Sequence, residues 1–203
     1  VPKLLTQPAL LGIYILTPII MTGNFTVYSY IEPFLAQVTG MAPNHITWVL
    51  VAYGAVGIVG SWFFSHAYDR HPLIFMKVAV LGIAASLLVM REAANWETTV
   101  FLLCILWGFA VTLYNLTFQS AIISAAPTGT AIAMSVFSGI YNVGIGSGAL
   151  VGGIVCTHLT IGDIGYVGGG IALLAAGFCL LRLVPIFRGI LAQKTDTESA
   201  MSH

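Results

Sequence analysis

Only 7 % of this 203-residue chain is Asp, Glu, Lys or Arg, against about 25 % in an average soluble domain, while 58 % is hydrophobic. The formal net charge is zero and the mean hydropathy is +0.96. So few charges cannot solvate the surface of a soluble fold, and a neutral chain without a basic patch excludes nucleic acid as a partner.

Lipid removes the need for a solvated surface, and one crossing takes about 20 apolar residues. The sequence has room for six such spans with short loops between them. They run from about Pro8 to Tyr30, Ile46 to Phe64, Pro72 to Met90, Thr98 to Ile123, Ala131 to Cys156 and Ile164 to Ile186. Helices are expected, because lipid leaves every backbone polar group to be satisfied within its own segment. The alternating ten-residue segments of a β-barrel do not occur. Residues 187–203 form a polar tail, expected to be cytoplasmic and, from Gln193 on, disordered. The chain opens on Val1-Pro2-Lys3 with no initiator Met and no signal peptide, as a piece of a longer protein would.

Orientation follows from the cations. With alternating spans, Lys3, Arg70, Lys77, Arg182, Arg188 and Lys194 fall on one side and Arg91 alone on the other. That bias places both termini in the cytoplasm. Lys77, one turn into its span, can snorkel back to the interface.

The first span carries a polar stripe. Tyr14, Thr17, Met21, Asn24, Tyr28 and Glu32 follow helical spacing and share one face. Such a face must point at protein or water. It either lines a cavity or bonds neighbouring helices, and a cavity is the expectation. Glu32 sits at the outer end of the stripe, before Pro33. It is either a proton-coupling acid or an interfacial carboxylate bonded to a helix end. The fourth span repeats the theme with Trp107, Tyr114, Asn115 and Gln119. Aromatic rings beside amides suit a polyhydroxylated ligand, since rings pack on C–H faces and amides both donate and accept. Many drugs would suit the same set.

The fifth span carries Gly144, Gly148 and Gly152 at intervals of four, a ridge for close helix contact. Its run from Tyr141 to Ser147 is matched, with a gap, by Tyr53 to Ser61 in the second span, which hints at two three-helix repeats. The histidines and the three cysteines, Cys104, Cys156 and Cys179, lack metal-ligand spacing. The cysteines read as small packing residues. Two sequons, at Asn24 and Asn115, lie inside spans where no glycosylation is expected. No nucleophile–base pair and no cofactor motif occurs, so an enzyme is not expected.

Three segments carry a family resemblance: Tyr28-Ser29-Tyr30-Ile31-Glu32-Pro33-Phe34, Phe137 to Gly146, and Ile164-Gly165-Tyr166-Val167-Gly168. With them the chain resembles the C-terminal six-helix half of a major facilitator superfamily transporter of the bacterial sugar efflux type. The loop Ser65-His66-Ala67-Tyr68-Asp69-Arg70-His71-Pro72 is similar to the superfamily's Gly-x-x-x-Asp-Arg-x-Gly signature. Asp69 and Arg70 match it, and Ser65 and Pro72 stand in place of its glycines. The resemblance implies a 3+3 inverted repeat, a preceding six-helix half, a bacterial inner-membrane location and proton-driven export of a sugar. It also implies that the first and fourth spans line the central cavity, that the second and fifth meet the other half, and that the third and sixth face lipid. Asn24, Tyr28, Trp107, Tyr114, Asn115, Gln119 and Asn142 are then the candidate substrate contacts, with Glu32, Asp69 and Arg70 in coupling or gating. A multidrug/proton antiporter of the same superfamily is the alternative. No cofactor and no metal is implied.

Overall fold

The computed structural model describes residues 7–201, with side chains through Gln193. Lys3 and Lys194, named above, lie outside the described side chains. Among the described residues the secondary structure is entirely helical: α1 (Pro8–Tyr28), α2 (Ile31–Gln37), α3 (Pro43–Ala67), α4 (Pro72–Leu88), α5 (Met90–Ala93), α6 (Glu97–Ala125), α7 (Thr130–His158), α8 (Ile164–Phe178) and α9 (Val184–Met201). Among the described residues five stretches are long and apolar enough to cross a membrane: Pro8–Gln37, Pro43–Arg70, Glu97–Ala125, Thr130–His158 and Ile161–Gln193. The third expected span is the shorter, 17-residue α4.

Prolines mark the boundaries. Pro8, Pro43 and Pro72 each open a helix, where a missing N–H costs nothing. Pro33 breaks the first span. In one continuous helix its ring would crowd the carbonyl of Ser29, so the chain steps at Ser29–Tyr30 and restarts as α2. Gly40, at φ 72°, then turns the chain into α3. Near the C-terminus, residues Cys179–Leu183 widen into a π turn, with the amide of Val184 bonded to the carbonyl of Cys179. Pro185 follows directly and cannot donate to Leu181, so the ladder loosens ahead of it. The tail expected to be disordered is instead helical to Met201. Leu191, Ala192, Gln193, Lys194 and Glu198 are good helix formers, and no proline or glycine interrupts them.

The packing is reciprocal. α1 packs against α7 and α8, α6 packs against α3 and α4, and α4 meets α8. Glycine or backbone sits at each of these seams. A Cβ on Gly144 would lie 2.5 Å from Met21 Cβ, and one on Gly148 2.7 Å from Phe25 Cβ and from the carbonyl of Thr22. A Cβ on Gly152 would lie 2.7 Å from the carbonyl of Thr26, one on Gly108 2.5 Å from that of Tyr53, and one on Gly165 2.7 Å from that of Leu87. The glycine ridge of the fifth span therefore serves α1 within this bundle. The contact with another half that the resemblance implies for the fifth span does not draw on Gly144, Gly148 and Gly152, which are buried against α1. Gly139 and Gly146, on the outer side of α7, meet nothing within 4 Å.

Polar contacts tie the loops at one end. Arg91 pairs with Asp163, which also caps the 160–163 turn through Thr160. The Tyr166 hydroxyl donates to Glu92 and holds that carboxyl below its usual range. Its contribution is therefore present above an ordinary carboxylate pKa of about 4.3 and is lost as the medium is acidified through the lowered value.

Gly148→Val is expected to destabilise the bundle by about 1–3 kcal/mol through overpacking against the backbone of α1. Gly146→Ala, on the open side, is expected to be neutral or to stabilise by up to about 1 kcal/mol. Thermal unfolding of both variants in detergent checks the contrast.

Candidate functional site

The polar stripe of α1 faces inward and is largely used up there. Thr17 and Asn24 are fully or almost fully buried. The Tyr14 hydroxyl donates to the carbonyl of Ala133 at 3.1 Å, and Thr17 Oγ1 bonds Tyr114 Oη at 2.9 Å. Trp107 Nε1 donates to Asn24 Oδ1 at 2.8 Å. The expectation that this whole stripe lines an open cavity is corrected. Tyr14, Thr17, Met21 and Asn24 bond or pack against neighbours, and Trp107 and Tyr114 are 0 % exposed with them. A polar atom facing lipid would be unsatisfied, so α6 and α7 supply its partners.

An open face begins at Tyr28, which is 39 % exposed. Its ring lies 5.3 Å from Tyr53 of α3, 5.5 Å from Phe25 and 6.0 Å from Trp107, edge-on to the last two. Phe25 stands edge-on to Tyr141 of α7 at 6.4 Å, and Tyr141 to Phe137 at 5.9 Å. An aromatic row thus crosses from α3 over α1 to α7, with Trp107 behind it, 4.9 Å from Tyr53. Such edge-to-face contacts fix ring orientation.

Where the row reaches α7 it borders a cavity of about 340 Å³ lined by Asn115, Gln119, Met134, Phe137, Ser138 and Tyr141. Asn115 donates Nδ2–H to the carbonyl of Val111 at 3.1 Å, which fixes its rotamer on α6. The lining therefore offers two amides, two hydroxyls and two aromatic rings, with no ionised group. That set can bind a neutral hydroxylated molecule by donating, accepting and stacking.

Of the candidates named from sequence, Asn115 and Gln119 share this cavity, and Tyr28 belongs to the row beside it. Asn24 and Trp107 brace the row from behind, and Tyr114 is sealed against Phe118 and Thr17. Asn142 is exposed on α7, donates to the carbonyl of Ser138 at 2.8 Å and is not in the cavity lining. Glu32 is exposed in a separate cleft with Pro33, Gln37 and Thr47 between the α1–α2 step and α3, about 700 Å³ in volume. Asp69 and Arg70 are exposed on the turn after α3, and Asp69 lines a cavity with Ser120 and Ser124 at the ends of α3 and α6. The structure does not bring Glu32, Asp69 and Arg70 to the Asn115 cavity. Sequence reasoning left out Phe25, Tyr53, Phe137, Ser138 and Tyr141 as contacts. Tyr53 and Tyr141 head the two glycine-rich runs that align with each other, and that correspondence was the available signal.

Residues 13–201 match the Major Facilitator Superfamily. The chain is 40 % identical over 174 residues to a protein of Helicobacter acinonychis (strain Sheeba) named "Probable sugar efflux transporter". It is 41 % identical over 175 residues to the protein of that name in Helicobacter pylori (strain ATCC 700392 / 26695). These alignments cover 86 % of this chain but 44 % and 45 % of the relatives, so the chain spans less than half the length of the curated relatives it matches. The chain belongs to the Major Facilitator Superfamily and is a multi-pass membrane protein.

Trp107→Phe is expected to strand Asn24 Oδ1 without a donor and to cost about 1–3 kcal/mol of stability. The Asn24→Leu/Trp107→Phe pair should recover part of that loss. Unfolding temperatures of the three proteins in detergent check it.

Proposed function

We propose that this member of the Major Facilitator Superfamily is the C-terminal six-span half of a secondary transporter that exports sugars or sugar-like molecules across the bacterial inner membrane. The observation that carries the reading is the uncharged cavity of Asn115, Gln119, Ser138 and Tyr141 at the end of an aromatic row. A pyranose has apolar C–H faces for Phe137 and Tyr141 and a rim of hydroxyls for the amides. The relatives' printed names point to the same class of cargo. A cationic drug would instead call for an acid, and none lines this cavity.

The six-span reading counts α4 as the third crossing. Its 17 residues rise about 26 Å at 1.5 Å each, close to the roughly 30 Å of a hydrocarbon core, and α5 extends it. The repeat reading rests on the reciprocal packing. Exchanging the first three spans for the last three turns the α1–α7 contact into α6–α3 and the α1–α8 contact into α6–α4, and leaves α4–α8 unchanged. Cytoplasmic termini fit the cations. Arg91, the exception, is paired with Asp163 and so presents little unbalanced charge at the outer face.

In this reading the other half packs against the open faces of α3 and α7, where Gly54, Gly139 and Gly146 leave room and Ile58, Val143 and Leu150 are exposed. The sugar binds between halves at mid-membrane, and rocking of one half on the other exposes it to either side. Export is driven by protons. Glu32 and the Asp69–Arg70 turn, at opposite ends of the bundle, act in coupling and gating at the two mouths rather than in holding the sugar.

Cells expressing this chain with a preceding six-span half are expected to accumulate less labelled L-arabinose than vector controls, and a protonophore should abolish the difference. Unchanged accumulation, with both halves present in the membrane, would remove arabinose as cargo. Asn115→Ala removes hydrogen bonds worth about 0.5–1.5 kcal/mol each, so the apparent affinity for the exported sugar should fall roughly three- to tenfold. Initial export rates against internal sugar concentration measure that change.

A further inference from the structure

α3 and α4 both pack against α6, yet they meet each other mainly at the short turn that joins them. The gap is a groove of about 330 Å³ floored by Phe109 and Leu113 of α6 and walled by Phe63 and Ala67 on one side and Ile74 and Val78 on the other. Phe75 closes its inner end, 5.6 Å from Phe63 between ring centres. Phe63, Ile74 and Val78 are exposed, so the groove opens on the outer surface of the bundle, away from the aromatic row. His71 stands at its mouth.

Two cations adjoin the groove lining in sequence: Arg70 is exposed next to His71, and Lys77 is half-buried next to Val78. Asp69, the nearest acid in sequence, lines a different cavity with Phe64, Tyr68, Ser120 and Ser124 and does not face the groove. A slot of wholly apolar depth under a cationic rim matches a molecule with an acyl chain below an anionic headgroup.

We propose that this groove is a binding site for an anionic phospholipid of the cytoplasmic leaflet, its acyl chain between α3 and α4 and its phosphate at Arg70, His71 and Lys77. The site rests on the orientation given above, but it makes no use of the sugar cavity. An occupied groove supplies the packing that α3 and α4 do not give each other.

The test is native mass spectrometry of the full chain, purified in mild detergent, stripped of lipid and titrated with phosphatidylglycerol or phosphatidylcholine of identical chains. One tight phosphatidylglycerol adduct is expected, with phosphatidylcholine weaker. Ala67→Phe, which fills the groove, should weaken that adduct about tenfold or more. The surface variant Arg70→Gln/Lys77→Gln, which leaves the groove intact, should bind the two lipids alike. Equal binding of the two lipids by the unaltered chain, or an adduct unchanged in both variants, would overturn the proposal. The readout involves no transport, so it stands or falls separately from the sugar reading.

Discussion

The bundle depends on how closely α1 approaches α7. In lipid, two apolar helices gain no hydrophobic free energy by leaving hydrocarbon for each other, so association rests on tight packing and interhelical hydrogen bonds. Gly144, Gly148 and Gly152 allow that packing, because at each a side chain would collide with α1. The same seam places the candidate site. Gly148 sits against Phe25 Cβ, and the Phe25 ring is the one that reaches Tyr141. Widening the seam would part the aromatic row from the cavity of Asn115 and Gln119.

Buried polar bonds then choose one arrangement among the close-packed ones. Glycine ridges tolerate sliding, whereas Asn24 to Trp107 and Thr17 to Tyr114 each demand one register of α1 on α6. With no water in the hydrocarbon, a slipped helix would leave these groups without partners. Both bonds lie behind the open face. The first of them holds Trp107, and Trp107 in turn backs Tyr28 and Tyr53. The residues most conspicuous as polar groups in an apolar sequence thus act mainly by positioning those of the open face.

This explains what the sequence made legible. Hydropathy pointed to five of the six expected stretches that are, among the described residues, helices long and apolar enough to cross a membrane, because lipid imposes length and apolarity with little latitude. Helical spacing showed that Tyr14, Thr17, Met21 and Asn24 share a face. It could not say whether that face met protein or water, since polar side chains are satisfied by either. Glycine spacing at Gly144, Gly148 and Gly152 signalled a close approach without naming the partner, which proved to be α1. Tyr53 and Tyr141 stood in no polar stripe with helical spacing. Only the convergence of α3, α1 and α7 brings them into one row. The helical continuation to Met201 was hidden for the opposite reason, a polar composition that suits a solvated helix as well as a disordered tail.

The central claim is that a hydroxylated ligand sits against α6 and α7 at Asn115 and Ser138. Cysteine protection tests it most directly. Asn115→Cys and Ser138→Cys, each in a background lacking Cys104, Cys156 and Cys179 and combined with the other half, are alkylated in membranes with and without sugar. The account predicts that an exported sugar slows alkylation at both positions and leaves Ser124→Cys, at the inner end of α6, unaffected. Unprotected cysteines at 115 and 138, under conditions where export of that sugar is measured, would contradict it.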